Sequence, residues 1–356
     1  MPWLKARAPS GPTAKHTQAA HYLLGKMVRS TRHVHLINPL WNAAGGSEWR
    51  TLTLFDELRD LCRVTLWSEY EPDPEIARRY PVERIDPERS RFPKTGTFVF
   101  VGVYFPVGEW LKHAHPRRTI LIFNTLNQAK FTQRRRQLAR TGRRDVECVY
   151  ASELVRRLAN HPGSVEISPI DISRFVPTAG KPSGPLPDGF TIGRLSRAAR
   201  EKHHPADPAL YRRLVNHGFR VKIMGATPFL IRKLGHLRSV TLLPAHAHEP
   251  YLFLQSLDCF FYRTSREWPE PWGRVVTEAM ACGLPVVCHN RGGYVDIIEH
   301  GRNGLLFDTQ QEALDILLRL KEDQELRESI GKAARKTSEE LFSPARRRET
   351  VQFYLQ

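Results

Sequence analysis

Two carboxylates, Glu270 and Glu278, stand eight residues apart in the stretch WPEPWGRVVTEAMACGLPVVCHNRGGYVDIIEHGRNGLLFD, residues 268–308. Glu270 precedes Pro271, and a residue before proline is pushed out of the helical region, so extended backbone at a strand end is expected there. Gly273 frees the turn that follows. From Arg274 and Val275 onward the helix formers of RVVTEAMA predict a helix that carries Glu278 within its first two turns. The pattern breaks at Gly283 and enters PVVC, an apolar run that reads as a buried strand. One carboxylate therefore lies on a loop, the second on a helix, and the helix N-terminus points between them.

Unpaired N–H groups and the positive end of the helix dipole favour a phosphate at the Gly273 turn. A carboxylate on either side can accept hydrogen bonds from paired hydroxyls, which sugars and ribose present. A nucleotide sugar fits this arrangement. The plainer alternative is a βαβ unit with solvated glutamates, and two Glu at a fixed gap would not by themselves exclude it. The ordered Pro271, Gly273, GLPVV strand, RGG turn and GRNGLLF turn make coincidence a poor account.

The segment EPWGRVVTEAMACGLPVVCHNRGGYVDIIEHGRNGLLFD resembles the C-terminal signature of the family 4 retaining glycosyltransferases, which have the GT-B fold. The resemblance covers most of the chain and is closest over 190–308. It implies an α/β fold of two Rossmann-like parallel-sheet domains facing each other across a cleft. It also implies transfer of a sugar from a nucleotide-diphosphate donor to an acceptor hydroxyl, with retention and without metal or other cofactor, in bacterial polysaccharide or glycolipid synthesis. By motif match, Glu270 contacts the transferred sugar and Glu278 the ribose, with Gly273, Arg274 and Val275 at the donor.

Three further elements join this pair. In FTIGRL a predicted strand ends at Gly193, followed by Arg194 and Lys202. Ligands of open α/β sheets bind beyond the carboxyl ends of strands, so two cations there suit a diphosphate, although an exposed basic loop is the plain alternative. The family carries an Arg and a nearby Lys at this junction, which implies that role for Arg194 and Lys202; the loop before Lys202 is longer than the family's. Gly45 and Gly46, ahead of Ser47 and Glu48, read either as a capped helix start or as backbone that approaches the donor phosphates or acceptor. A GG-x-E element occupies this loop in the family and favours the second reading. Where the family places a His after the strand TILIF, this sequence has Phe123, Asn124 and Thr125. Asn124, the acceptor-side candidate, can hydrogen-bond a sugar hydroxyl but cannot titrate.

At 356 residues the chain can hold two α/β domains. The expected division is a basic extension over 1–30, an acceptor domain over 31–178 completed by a C-terminal helix at 344–356, and a donor domain over 188–343. PTAGKPSGPLP, 177–187, reads as the linker. No apolar run is long enough to cross a bilayer, and the N-terminus lacks the apolar core of a secretory signal. Five scattered cysteines without C-x-x-C speak against a disulfide framework or zinc site, so a cytoplasmic protein is expected. His203 and His204, like His246 and His248, read as surface or loop residues. D-x-D, Walker-A and G-x-G-x-x-G patterns are absent from the sequence.

The net charge of +17 concerns partners, not fold. Ten Lys or Arg and no acidic residue lie between Lys112 and Arg144. Within this run FTQRRRQLARTGRR reads as a basic helix with a thin apolar edge at Phe131 and Leu138. A solvated face or a funnel for an anionic donor is one reading. The other follows from resembling enzymes that act on lipid-linked acceptors, whose basic surface docks on an anionic leaflet, and makes Arg134, Arg135 and Arg136 membrane-contact candidates. The expected partners are thus a nucleotide-sugar donor, a lipid-linked or saccharide acceptor and an anionic membrane surface, with no specific nucleic acid. Two alternatives stay open: a nucleotide-sugar epimerase or hydrolase of the same fold, and a basic non-enzymatic nucleic-acid binder, which leaves the ordered carboxylates unexplained.

Overall fold

Most strands of this chain are short runs of apolar residues without alternation, the pattern of strands covered on both faces. The computed structural model describes residues 31–43, 45–140, 145–178 and 189–356. The N-terminal extension and most of the linker lie outside the described residues. The first part of the chain holds β1 (His33–Ile37), α1 (Gly46–Leu58), β2 (Arg63–Ser68), α2 (Pro74–Arg79), β3 (Val82–Arg84), β4 (Thr95–Val101), β5 (His115–Phe123), α3 (Gln128–Ala139), β6 (Val146–Tyr150), α4 (Glu153–Ala159) and β7 (Ser164–Val165). The second holds β8 (Phe190–Leu195), α5 (Asp207–Asn216), β9 (Phe219–Met224), α6 (Pro228–Leu234), β10 (Val240–Leu243), α7 (Pro250–Gln255), β11 (Cys259–Tyr262), α8 (Arg274–Ala281), β12 (Val286–His289), β13 (Leu305–Phe307), α9 (Gln310–Glu322), α10 (Gln324–Leu341) and α11 (Pro344–Tyr354).

The strands form two sheets, a seven-stranded one in the order β3-β2-β1-β4-β5-β6-β7 and a six-stranded one in the order β10-β9-β8-β11-β12-β13. Their pairings are parallel throughout. Alternate residues of one strand enter opposite cores, as a period of two requires. Phe98 and Phe100 of β4 pack with Trp110 and Phe131 on one face, while Val99 and Val101 meet Leu52, Phe55 and Leu58 of α1 on the other. Each sheet reverses its strand order beside its first strand, between β1 and β4 and between β8 and β11. Open parallel sheets bind ligands at such points, beyond the carboxyl ends of the strands.

The apolar edge of α3 is not on the surface. Phe131 and Leu138 are each 1% exposed and belong to the first core. Arg134 shares that inward face and is buried: its guanidinium donates to the Phe105 carbonyl and lies 4.7 Å from the Phe105 ring centroid. The expectation that Arg134 contacts a membrane is therefore corrected, because its charge is spent inside the domain. Among the described residues no helix is long and apolar enough to cross a membrane.

Helix α11 follows the second sheet in sequence but packs on the first, with Val351 and Tyr354 in the core beside β1. Its polar ties are partly buried. Tyr354 donates to Glu166 at 2.8 Å, Arg50 donates to the other Glu166 oxygen at 3.0 Å, and Arg347 donates to Glu57 at 3.0 Å. Burial, only partly offset by Arg347, pushes the Glu57 carboxyl up to about 7. The folded value thus lies above the ordinary 4.5, so the neutral carboxyl's contribution to stability is complete below 4.5 and is lost as pH rises through about 7. Glu57→Gln should therefore exceed the wild type in stability at pH 8 by on the order of 2 kcal/mol and match it near pH 4. Denaturant melts at both pH values check this; a Gln variant that is weaker at both would show that the ion pair outweighs burial.

Candidate active site at the facing sheet ends

At the carboxyl edge of the second sheet the chain buries charges that only mutual pairing can keep there. Glu270 is 8% exposed. Its Oε2 accepts from Lys202 Nζ at 2.6 Å and from the Tyr262 hydroxyl at 2.7 Å. Burial pushes this carboxyl up, but the Lys202 ion pair, the two hydrogen bonds and the nearby Arg197 charge outweigh it and hold the group below its ordinary value. Glu270 is thus ionised, with a lysine beside it. It does not sit at the strand end expected from Pro271: β11 stops at Tyr262, and Glu270 lies further along, in a lone parallel bridge to Gly292. Gly293 closes this loop by donating to the Glu270 carbonyl at 2.8 Å. A side chain at Gly293 would strike the Pro271 carbonyl and Ser152, so the RGG turn lets three backbone segments meet.

Gly273 caps α8 with φ +85, a left-handed conformation that disfavours any other residue. The first turn of α8 follows with Arg274 and Val275, both half-buried. Arg274 Nε donates to Glu278 Oε1 at 2.8 Å one turn on. Burial raises the Glu278 carboxyl in spite of that partner. The Arg274 guanidinium also lies 5.6 Å from the ring centroid of Trp49 in α1, so it spans from one sheet's helix to the other's.

The first sheet supplies the opposite wall. Gly45 is the N-cap residue of α1, and a side chain there would collide with the Glu48 carboxylate. Gly46 faces open space. Ser47 does not cap the helix; its hydroxyl donates to Glu48 Oε2 at 2.7 Å instead. Burial raises the Glu48 carboxyl, and Arg197 of the opposite sheet acts on it in the lowering direction. Asn124, just past β5, stands with Ser47 beside Gly102, which follows β4. Ser152, after β6, donates to the Pro271 carbonyl at 2.6 Å and ties the first sheet directly to the Glu270 loop.

Arg194 departs from expectation. It is 1% exposed, donates to the Arg263 carbonyl at 2.7 Å and to the Lys202 carbonyl, and lies 3.6 Å from Asp207, which also binds Arg263 at 2.5 Å. Its guanidinium sits 5.0 Å from the Tyr262 ring centroid. Arg194 is thus a strut that fixes the Lys202 backbone and Tyr262, not a cation facing the cleft. Gly193 is likewise corrected: it lies inside β8, and its missing side chain makes room for Leu257 and the Lys222 carbonyl, not for a ligand. His203 and His204 are buried, not surface residues; His203 Nε2 lies 3.0 Å from the Gly225 carbonyl.

Two residues were missed in the sequence. Tyr262 ends the apolar strand β11 and packs in the core, while its hydroxyl donates to Glu270. Arg197 is half-exposed, pairs with Glu201 at 2.9 Å and acts on both Glu48 and Glu270. Removing one partner of a buried ion pair costs roughly 3–5 kcal/mol, whereas an exposed one costs about 0–1 kcal/mol. Arg194→Ala should therefore lower the thermal midpoint strongly and Arg197→Ala hardly at all. Calorimetry separates them, and equal small shifts would remove Arg194 from its role as a strut.

Residues 190–337, the second sheet and its helices, match the family described as glycosyl transferases group 1. The capsular polysaccharide biosynthesis glycosyltransferase CapM of Staphylococcus aureus is 27% identical over 44% of this chain and 43% of its own length. The D-inositol 3-phosphate glycosyltransferase of Paenarthrobacter aurescens is 28% identical over 52% of this chain and 50% of its own. The chain spans half or less of the length of these curated relatives. The crystal structure of Anabaena Alr3699/HepE in complex with UDP superposes with a TM-score of 0.69 at 18% identity, covering 91% of this chain and 99% of that one; its complex with UDP-glucose gives 0.67. The fold is the two-domain, Rossmann-like arrangement of the GT-B glycosyltransferases.

Proposed function

We propose that the chain is a retaining, metal-independent glycosyltransferase that moves a sugar from a nucleotide-diphosphate donor to an acceptor hydroxyl. The observation that carries this reading is the ionised Glu270 held by Lys202 beside the glycine-capped start of α8. Anion-binding amides, a lysine and a hydroxyl-binding carboxylate stand together there. The glycosyl transferases group 1 match over 190–337 and neighbours solved with UDP and UDP-glucose support a nucleotide-sugar donor. CapM supports a role in polysaccharide synthesis.

In this account Glu270 accepts hydrogen bonds from the transferred sugar, and Glu278, oriented by Arg274, accepts them from the ribose. The bond from the anomeric carbon to the diphosphate breaks and one to the acceptor oxygen forms on the same face. The acceptor proton passes to the departing diphosphate. Lys202, Arg197 and the amides at Gly273, Arg274 and Val275 neutralise the charge that develops there, a preorganised electrostatic effect. Arg194 acts at one remove by holding Lys202 and Tyr262. The Gly45–Gly46 backbone approaches the donor from the first sheet, and Asn124 faces the acceptor.

Basic side chains on α3 support a second property, reversible binding to an anionic membrane. Lys130 and Arg136 are exposed and Arg135 is half-buried, while Arg143 and Arg144 lie outside the described residues. Each engaged cation contributes about 1 kcal/mol at such a surface. Wild type should pellet with phosphatidylserine-containing vesicles at low salt and be released by high salt. Replacing Lys130, Arg135 and Arg136 with Gln should abolish pelleting but spare UDP binding; a wild type indifferent to these vesicles would refute the property.

The donor reading is tested by titrating UDP and UDP-glucose into wild type and Glu278→Ala with EDTA present. Wild type should bind, and the variant should bind roughly 10- to 100-fold more weakly while remaining folded, the effect of losing a hydrogen bond to a charged group. Unchanged affinity in Glu278→Ala would remove the ribose assignment, and binding that requires added manganese would refute metal independence. UDP release only when an acceptor is added would separate a transferase from a hydrolase or epimerase.

A further inference from the structure

The loops that leave β1, β2 and β4 carry aromatic side chains that the donor site does not use. Trp41 and Tyr104 are 47% and 53% exposed, and they are the exposed aromatics among the large apolar residues described. They follow neighbouring strands of the first sheet, which lie about 4.8 Å apart. Tyr70, just past β2, meets Trp41 edge-on with ring centroids 5.1 Å apart.

These rings are held in place. Leu40 adopts φ +51, a left-handed conformation unfavourable for leucine, and this turn directs the chain outward at Trp41. The strained residue is fixed from three sides: its side chain is fully buried, its amide donates to Asn38 Oδ1 at 2.9 Å, and its carbonyl accepts from the Asp73 amide at 2.7 Å. Ser68 Oγ lies 2.8 Å from both the Pro39 and Tyr70 carbonyls and binds the two loops together. The neighbouring Glu69 accepts from the Gly108 amide at 2.9 Å and from Trp110 Nε1 at 2.7 Å, which clamps the loop carrying Tyr104 to the loop carrying Tyr70. Arg134 supports the same loop from behind at Phe105. Backbone strain maintained by so many contacts is characteristic of functional sites.

Polar groups lie beside Tyr104. The Tyr104 hydroxyl lies 2.9 Å from Thr125 Oγ1, and Asn124 is the next residue, beside Ser47. Flat apolar faces next to hydroxyl and amide groups complement a sugar ring, which has C–H faces and a hydroxyl rim. We propose that Trp41, Tyr70 and Tyr104 form the acceptor subsite and that the acceptor presents a saccharide ring packed on this strip, its reacting hydroxyl directed toward Asn124. This rests on the glycosyltransferase reading and adds to it the chemical class of the acceptor. A lipid anchor also uses exposed tryptophan and tyrosine, but it has no use for an amide and paired hydroxyls beside Tyr104.

Saturation-transfer NMR on the UDP-bound chain tests this, with the methyl α- and β-glycosides of glucose, galactose, mannose and N-acetylglucosamine, together with maltose and cellobiose, as probes. At least one should receive saturation on its C–H face. Trp41→Ala and Tyr104→Ala should each weaken it roughly tenfold, the scale of one aromatic contact, with Trp41→Phe retaining binding and UDP affinity unchanged in all three. No sugar binding to UDP-bound wild type, or undiminished binding in both Ala variants, would overturn the proposal. So would loss of vesicle pelleting in these variants without any sugar binding, which would make the strip a lipid anchor. Sugar binding that depends on Trp41 in a chain that binds no UDP would leave the strip standing and defeat the donor reading instead.

Discussion

A buried carboxylate remains charged only if something pairs with it, and the site described here depends on that condition being met at Glu270. Lys202 and Tyr262 satisfy one carboxylate oxygen, and Arg194 holds both of these partners in place through the Lys202 carbonyl and the Tyr262 ring. Arg194 in turn pairs with Asp207, which it shares with Arg263. Each cation is stabilised by the next acceptor in the chain, so the loss of an inner member uncovers a charge that water cannot reach. This is why Arg194 matters although it need not touch a ligand.

The same loop joins the two halves of the molecule. Ser152 meets Pro271, Arg274 reaches Trp49, and α11 leaves the second sheet to complete the core of the first. Both sheets therefore present the carboxyl ends of their reversal strands to one shared space. The Lys202–Glu270 pair lies on one wall, and Glu48 with hydroxyl, amide and aromatic groups on the other. A sugar carried between two such walls would leave a diphosphate on the cationic side and join a hydroxyl on the other.

Much of this was legible in the sequence because it rests on local rules. Apolar runs such as TILIF and PVVC mark the strands, and the glycine at 273 marks the start of α8. The strands without a sequence signal, β3 and β13, are three residues each and too short to show a period; β13 is the end of the segment that reads as the GRNGLLF turn. Glu270 was misplaced since the proline rule constrains a residue's backbone but not the length of the loop that carries it. The burial of Arg194 depends on Asp207 and Tyr262, distant partners that no local pattern reveals. Arg134 is different: it stands three residues after Phe131 and four before Leu138, the spacing of a core-facing stripe, and the RRR run hid that signal.

One donor is expected to bind both walls, with its diphosphate between Lys202 and the start of α8. Hydrogen-exchange mass spectrometry with and without UDP-glucose tests it most directly. The account predicts slowed exchange in 197–203 and 270–279 of the second half and, in the same experiment, in 45–49 of the first. Protection absent from the first two segments, absent from 45–49, or confined to surfaces away from both sheet ends would contradict it.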